Sequence, residues 1–290
     1  MKRILKTPRT GSLLLAAWGA GSWQEHLAIR WRANPHLGSV TDASAGEAGR
    51  RASVQRKGEA LVLDAGGRES NSAEQTRNRF NSEVSARKYA RSLHGTATHR
   101  RELLCVRRVL GGLPSGSKVL DLPSGTGRLL PLLVEMGFRV TEADSSAHML
   151  EEAQGYARTR GIAQSVEFRV EDAFLTSFKD DAFDAILCNR LFHHFREPEV
   201  RRRCLRELGR ICRGPIVVSF FCDCCLGALI FRLRNWIRRR TPTDRIPIPR
   251  KQFTEDAEAS RLRVVQTMST RRWIGKQWYA VLERTQVEAA

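Results

Sequence analysis

The sequence predicts an α/β fold, a doubly wound sheet whose strands run mostly parallel. Three observations lead there. Short apolar segments alternate with segments of helical period across residues 117–221. Several of the short segments are apolar without a break, as strands buried on both faces must be. The first of them runs into a glycine-rich turn that opens a helix.

In chain order, Phe80 to Leu93 reads as a helix with Phe80, Val84, Tyr89 and Leu93 as its apolar positions. Thr98 is placed to cap a second helix, Arg100 to Leu110, whose stripe is Leu103, Leu104, Val106, Val109 and Leu110, and Gly111-Gly112 closes it. Lys118 to Leu122 is a strand, Pro123 to Gly127 a turn, and Leu129 to Met136 a helix closed by Gly137. A second strand, Phe138 to Ala143, precedes a helix from Ala147 to Arg160. Val166 to Val170 and Phe183 to Cys188 are the third and fourth strands. A helix from Pro198 to Ile211 then leads to a fifth strand, Pro215 to Phe221. Crossovers between parallel strands are right-handed, and ligands of such sheets bind at the carboxyl ends of the strands. The residues just after each strand therefore carry the functional argument.

Composition sets the class. The chain has 290 residues, 41% hydrophobic and 28% charged, which supplies a sizeable core and excludes a wholly disordered chain or a disulfide miniprotein. No window approaches the roughly 18 uninterrupted apolar residues of a membrane span. Lys and Arg number 49 against 31 Asp and Glu, net +18. Residues 1–80 carry +6, residues 81–227 only +4 and residues 228–290 +8, so a nearly balanced core stands between basic flanks. Such an excess bears on anion attraction, not on fold. The seven cysteines are odd in number and four lie in apolar patterns, as buried thiols of a reducing, cytoplasmic compartment do. Cys222-Asp223-Cys224-Cys225 lacks a second pair at ligand spacing and a nearby His, so ordinary thiols and no metal are expected. Residues 1–79 show no sustained period and are rich in Gly, Ser and Ala; they read as a disordered leader or, from Lys2, Arg3, Lys6 and Arg9 ahead of Leu13–Trp18, a targeting leader. Residues 80–290 form the folded domain.

Three turns carry chemistry. After the first strand, Asp121 precedes Pro123-Ser-Gly125-Thr-Gly127. Glycines admit a ligand to the backbone, and the helix start offers free N–H groups. Only two glycines are present, and an acid at the strand end suits a cationic or amino-bearing ligand better than a pyrophosphate. The plainer reading is a tight strand–helix turn. After the second strand, Asp144 can bind both hydroxyls of a ribose, or it can cap the next helix. After the third, Asp172 can accept from an exocyclic adenine amine while Ala173 leaves room for the ring, or it can be an exposed loop acid.

Taken in order, these segments resemble the class I S-adenosylmethionine-dependent methyltransferases. Val119 to Gly127 resembles that family's first motif, Asp144 its ribose acid, Asp172-Ala173 its adenine-side motif, and Phe183 to Asn189 and Pro215 to Phe221 its fourth and fifth strands. Pro123 departs from the family, which often has a third glycine there. The resemblance implies a Rossmann-like, seven-stranded sheet ending in strands near Arg261–Thr267 and Gln277–Leu282, with residues 117–221 as motif core. It implies S-adenosyl-L-methionine as cofactor, held by Asp121, Gly125, Gly127, Asp144, Asp172, Ala173 and Asn189. Methyl transfer is an in-line displacement that depends on alignment, and a base helps where the acceptor loses a proton. His193 and His194 are candidates for that base or are packing residues, so the catalytic group stays open. Tyr89 and Arg87 are candidates to reach the cofactor carboxylate.

Beyond the core, Leu226, Leu229, Ile230, Leu233, Trp236 and Ile237 follow helical spacing with arginines interleaved. The first expectation is an apolar side packed on the core. Peripheral contact with an anionic membrane surface through 226–240 is the alternative, with nucleic acid behind it. The reading of the whole is an enzyme that methylates a small-molecule or lipid-like acceptor. The alternatives are an RNA or protein methyltransferase using the basic C-terminal region, and a non-catalytic binding module.

Overall fold

A computed structural model describes residues 71–93, 95–242 and 244–285. Seven strands form one sheet in the order β3-β2-β1-β4-β5-β7-β6. They are β1 (Lys118–Asp121), β2 (Arg139–Asp144), β3 (Val166–Val170), β4 (Ala185–Cys188), β5 (Ile216–Phe221), β6 (Leu262–Ser269) and β7 (Gln277–Arg284). The first five are parallel, and β7 runs antiparallel to both β5 and β6. The strand order reverses between β1 and β4, which makes the switch point where open α/β sheets bind ligands.

The unbroken apolar strands are explained by burial on both faces. Ile186, Cys188, Ile216 and Val218 join a core on one face, with Leu205 and Leu208 of the helix before β5. Ala185, Leu187, Val217 and Val281 join a second core on the other, with Val106 and Leu110. Alternate residues of each strand thus enter opposite layers.

The helices are α1 (Ser72–Phe80), α2 (Glu83–Leu93), α3 (Ala97–Leu110), α4 (Leu130–Glu135), α5 (Ala147–Thr159), α6 (Pro198–Ile211), α7 (Leu226–Ile237) and α8 (Arg250–Glu258). Several differ from the sequence reading. The stretch that reads as one helix from Phe80 is two, because Asn81 caps the end of α1 and the Ser82 hydroxyl accepts from Ser85 N–H to start α2. Residues 72–79, assigned to the leader, are α1; Asn71 caps it by accepting from Glu74 N–H at 3.0 Å. The leader expectation for residues 1–70 lies outside the described residues. Thr96, not Thr98, caps α3, accepting from His99 N–H at 3.1 Å. Leu104 of the expected stripe and Val84 of α2 are exposed.

Helix α7 departs most. Its body-facing stripe is Gly227, Ala228, Phe231 and Asn235, while the six large apolar residues point outward, Leu229 61% and Trp236 77% exposed. The expectation that the apolar side packs on the core is overturned. The small residues are what allow close approach: a Cβ at Gly227 would fall 2.6 Å from the Ile274 carbonyl oxygen. No described helix is long and apolar enough to cross a membrane.

Helix α8, which has no counterpart in the sequence reading, is held to α6 by one acid. Asp256 is fully buried and accepts from Arg201 Nε at 2.7 Å and Arg202 Nε at 3.0 Å. Removing one side of such a group leaves buried guanidinium charge uncompensated. Asp256→Ala is expected to lower unfolding free energy by about 3–5 kcal/mol, read as a fall in the urea midpoint; a change below about 1 kcal/mol would show the bridge to be dispensable.

Candidate functional site

A cleft of about 1030 Å³, part of it open to solvent, lies at the carboxyl ends of β1 to β4. Strand ends deliver Asp121, Asp144, Asp172, Ala173 and Asn189 to its wall, and Gly125 joins them from the first turn. Of the seven residues expected to hold the cofactor, only Gly127 does not line it. Gly127 has φ +70, and a Cβ there would meet Ala153 of α5 at 3.2 Å, so its role is to let α5 pack under the turn. Gly125 faces the cleft with φ +56 and lies against the Tyr89 ring.

Burial dominates the acids on the floor. Asp144 is nearly inaccessible, and burial raises its carboxyl from 3.8 to about 6, although backbone N–H bonds oppose the shift. Gly125 N–H donates to Oδ2 at 3.0 Å and Ser146 N–H to Oδ1 at 2.9 Å. Each oxygen keeps a further lone pair. Asp144 therefore shapes the glycine turn as well as facing the cleft, while the cap of α5 is Ser146. Burial also pushes Asp121 well above its ordinary range; Arg128 opposes this and Asp144 adds to it. The Oδ1 of Asp121 is buried without a hydrogen-bond partner. Behind it, burial and the Asp121 charge raise Glu142 likewise.

Two arginines that sequence reasoning missed also line the cleft. Arg128 and Arg190 share the fully buried Glu102 of α3, Arg128 NH1 donating to Oε2 at 2.8 Å and Arg190 Nε to Oε1 at 2.7 Å. Burial alone raises the Glu102 carboxyl, but the two guanidiniums outweigh it and hold the group below its ordinary value. The signal was present, since each arginine directly follows a motif residue, Gly127 or Asn189. Asn189 is fixed by its Oδ1, which accepts from Ser219 Oγ at 2.9 Å, Tyr279 OH at 3.1 Å and Gln277 Nε2 at 3.2 Å.

The roof comes from α1. Ala73, Thr76, Arg77 and Phe80 line the cleft, and Arg77 pairs with Asp172 at 3.1 Å. Tyr89 lines it too, whereas Arg87 does not and pairs with Glu83 on the surface. The two histidines separate in role. His194 Nδ1 bonds to Asp244, which also holds Arg79, so it ties the α7–α8 loop to the end of α1. Burial works against charge on Asp244, yet His194 and Arg79 hold its carboxyl well below the usual range. His193 lines the cleft, stacked on Phe221 with ring centroids 4.1 Å apart. Burial, the neighbouring His194 and Arg190 lower its imidazole well below 6.5, so it is neutral at neutral pH.

The cysteine cluster lies beyond β5 and does not line the cleft. The Cys222 and Cys224 sulfurs are 2.8 Å apart, and the possible ligand atoms of Cys222, Asp223 and Cys224 lie within 4.8 Å of one another. Burial pushes the Cys222 thiol up to about 12, which keeps it protonated.

The chain is similar to known methyltransferases. A methyltransferase domain family matches residues 119–214. A demethylmenaquinone methyltransferase of Thermus thermophilus is 35% identical over 129 residues, covering 43% of this chain and 56% of that protein. The methyltransferase GfsG of Streptomyces halstedii is 32% identical over 121 residues, 40% of this chain and 44% of that protein. The chain spans about half the length of the curated relatives it matches. In fold it resembles magnesium protoporphyrin IX methyltransferase from Synechocystis PCC 6803, with TM-score 0.59 and 18% identity over 72% of this chain and 98% of that one. The similarity to the methyltransferase domain family spans residues 119–214, the part of this chain that carries the strand-end residues of the cleft.

Proposed function

We propose that the protein transfers a methyl group from S-adenosylmethionine to a small-molecule or lipid-like acceptor. The carrying observation is that four neighbouring parallel strands end in Asp121, Asp144, Asp172–Ala173 and Asn189 around one cleft. That donor set fits the cofactor. The orphaned, buried oxygen of Asp121 suits an ammonium group, which would relieve both its lost hydration and its missing bond. Arg128 and Arg190 suit a carboxylate. Asp144 retains lone pairs for two ribose hydroxyls, and Asp172 and Ala173, which line the same cleft, would receive the adenine amine and ring. Gly125 lets the chain approach closely. When bound, the cofactor supplies an electrophilic methyl on a sulfonium.

This chain's residues then have to align the acceptor and keep water out. The part of the cleft bounded by Phe80, His193, His194 and Arg245 is where an acceptor is expected. His193, which lines that part with its Nδ1 buried and free of a hydrogen-bond partner, is the candidate to accept a proton, while His194 holds the loop.

Three outcomes test the reading. Calorimetric titration of the chain with S-adenosylmethionine is expected to show one-to-one binding, weakened in Asp144→Ala by about 2 kcal/mol, roughly thirtyfold. Equal affinity in a folded variant would remove Asp144 from the site. The second outcome is a pH dependence. Ionised Asp144 is the better hydroxyl acceptor, so affinity should rise between about pH 5 and 7, by up to about tenfold per unit. Stability of the free protein moves the other way. The folded-state value lies above the ordinary 3.8, so this contribution to stability is fully present below that value and is lost as pH rises through about 6. Asp144→Asn should flatten both trends, seen by titration and by thermal melts across pH. Third, His193→Gln should keep cofactor affinity and slow turnover of hydroxyl acceptors by about a hundredfold; unchanged turnover would leave His193 a packing residue.

A further inference from the structure

The outward face of α7 has a neighbour. The turn between β6 and β7 docks against the start of the helix, Leu226 N–H donating to the Trp273 carbonyl at 3.0 Å and Gly227 N–H to that of Ile274 at 3.1 Å. Trp273 and Ile274 are themselves exposed, 72% and 43%. Two segments some forty residues apart therefore build one apolar surface, of a kind that monomeric soluble proteins seldom leave bare.

Its charge is one-sided. Between Asp223 and Asp244 the sequence holds Arg232, Arg234, Arg238, Arg239 and Arg240 and no acid. Arg232 pairs with Asp223 at 3.1 Å. Arg234, Arg238, Arg239, Arg240, Arg271 and Arg272 have no acidic partner among the described residues. An apolar stripe bordered by unpaired arginines matches a layer that is apolar beneath and anionic above.

We propose that α7 and the 270–274 turn seat the protein on an anionic membrane surface, with the helix lying in the plane of the headgroups. Other occupants fit less well. A second copy on a two-fold axis would set these arginines against their own counterparts. Residues 1–70 carry a basic excess and would not neutralise them. RNA would pair with the arginines but offers the leucines and Trp236 no apolar layer. The proposal does not rest on methyl transfer, and its test needs neither cofactor nor acceptor.

The test is cosedimentation of the full chain with phosphatidylcholine vesicles and with vesicles of equimolar phosphatidylcholine and phosphatidylglycerol. Binding to the anionic vesicles alone, falling as salt is raised, is the expected result. Leu233→Ser combined with Trp236→Ser should weaken it by about tenfold or more, and so should Arg238→Gln, Arg239→Gln and Arg240→Gln together. These side chains are exposed, so the urea midpoints of both variants should equal that of the parent. Failure to bind anionic vesicles overturns the proposal, as does binding that both variants retain. A dimer by gel filtration that the Leu233/Trp236 variant turns into monomer, with no vesicle binding by either, overturns it in favour of a second copy.

Discussion

The grip of Glu102 on two arginines is the interaction on which the cationic part of the site depends. Glu102 is a fully buried carboxylate on α3 that grips Arg128 from the turn after β1 and Arg190 from the turn after β4. Those turns flank the switch in strand order, where the sheet opens. Without a shared anion, two guanidiniums would face each other across a poorly hydrated cleft, at a cost comparable to breaking a buried ion pair. With it, the arginines become fixed donors whose remaining N–H groups can face a ligand. A residue far from the motifs in sequence thus sets the spacing between them.

The acids on and behind the floor use the reverse strategy. Asp121, Glu142 and Asp144 crowd together with little hydration, and each is pushed toward its neutral form. A scaffold selected for stability alone would not place three carboxyls there. Their cost is offset by the two apolar cores on either side of the sheet. Backbone N–H groups of Gly125 and Ser146 hold Asp144 in place.

Much of this was legible in the sequence because parallel strands have a strong signature. β3 and α6 fall on their predicted bounds, and the other core strands differ by a residue or two at their ends. The strand-end acids stand where the turn chemistry put them. What was not legible depended on long-range contact. Gly127 looks like Gly125 in sequence, yet only the packing of Ala153 reveals that it faces α5. Arg87 and Tyr89 sit on one helix, and only docking decides that Tyr89 meets the cleft. Helix α7 has the period of a packed helix, and period cannot tell which side meets the body. The outward turn of its apolar stripe follows from Gly227 and Ala228 allowing the backbone itself to make the contact.

The roof has a consequence for how the chain is divided. Composition changes near residue 80, which invites a boundary there. Yet α1 begins at Ser72, and its hydroxyl bonds to Glu197 at the head of α6, while Arg77 reaches Asp172 and Arg79 reaches Asp244. One short helix thereby clasps the third strand's end, the α6 cap and the α7–α8 loop together. A cut made by composition would strip the lid along with the tail. A boundary set ahead of Asn71 keeps the roof and its three attachments in one piece.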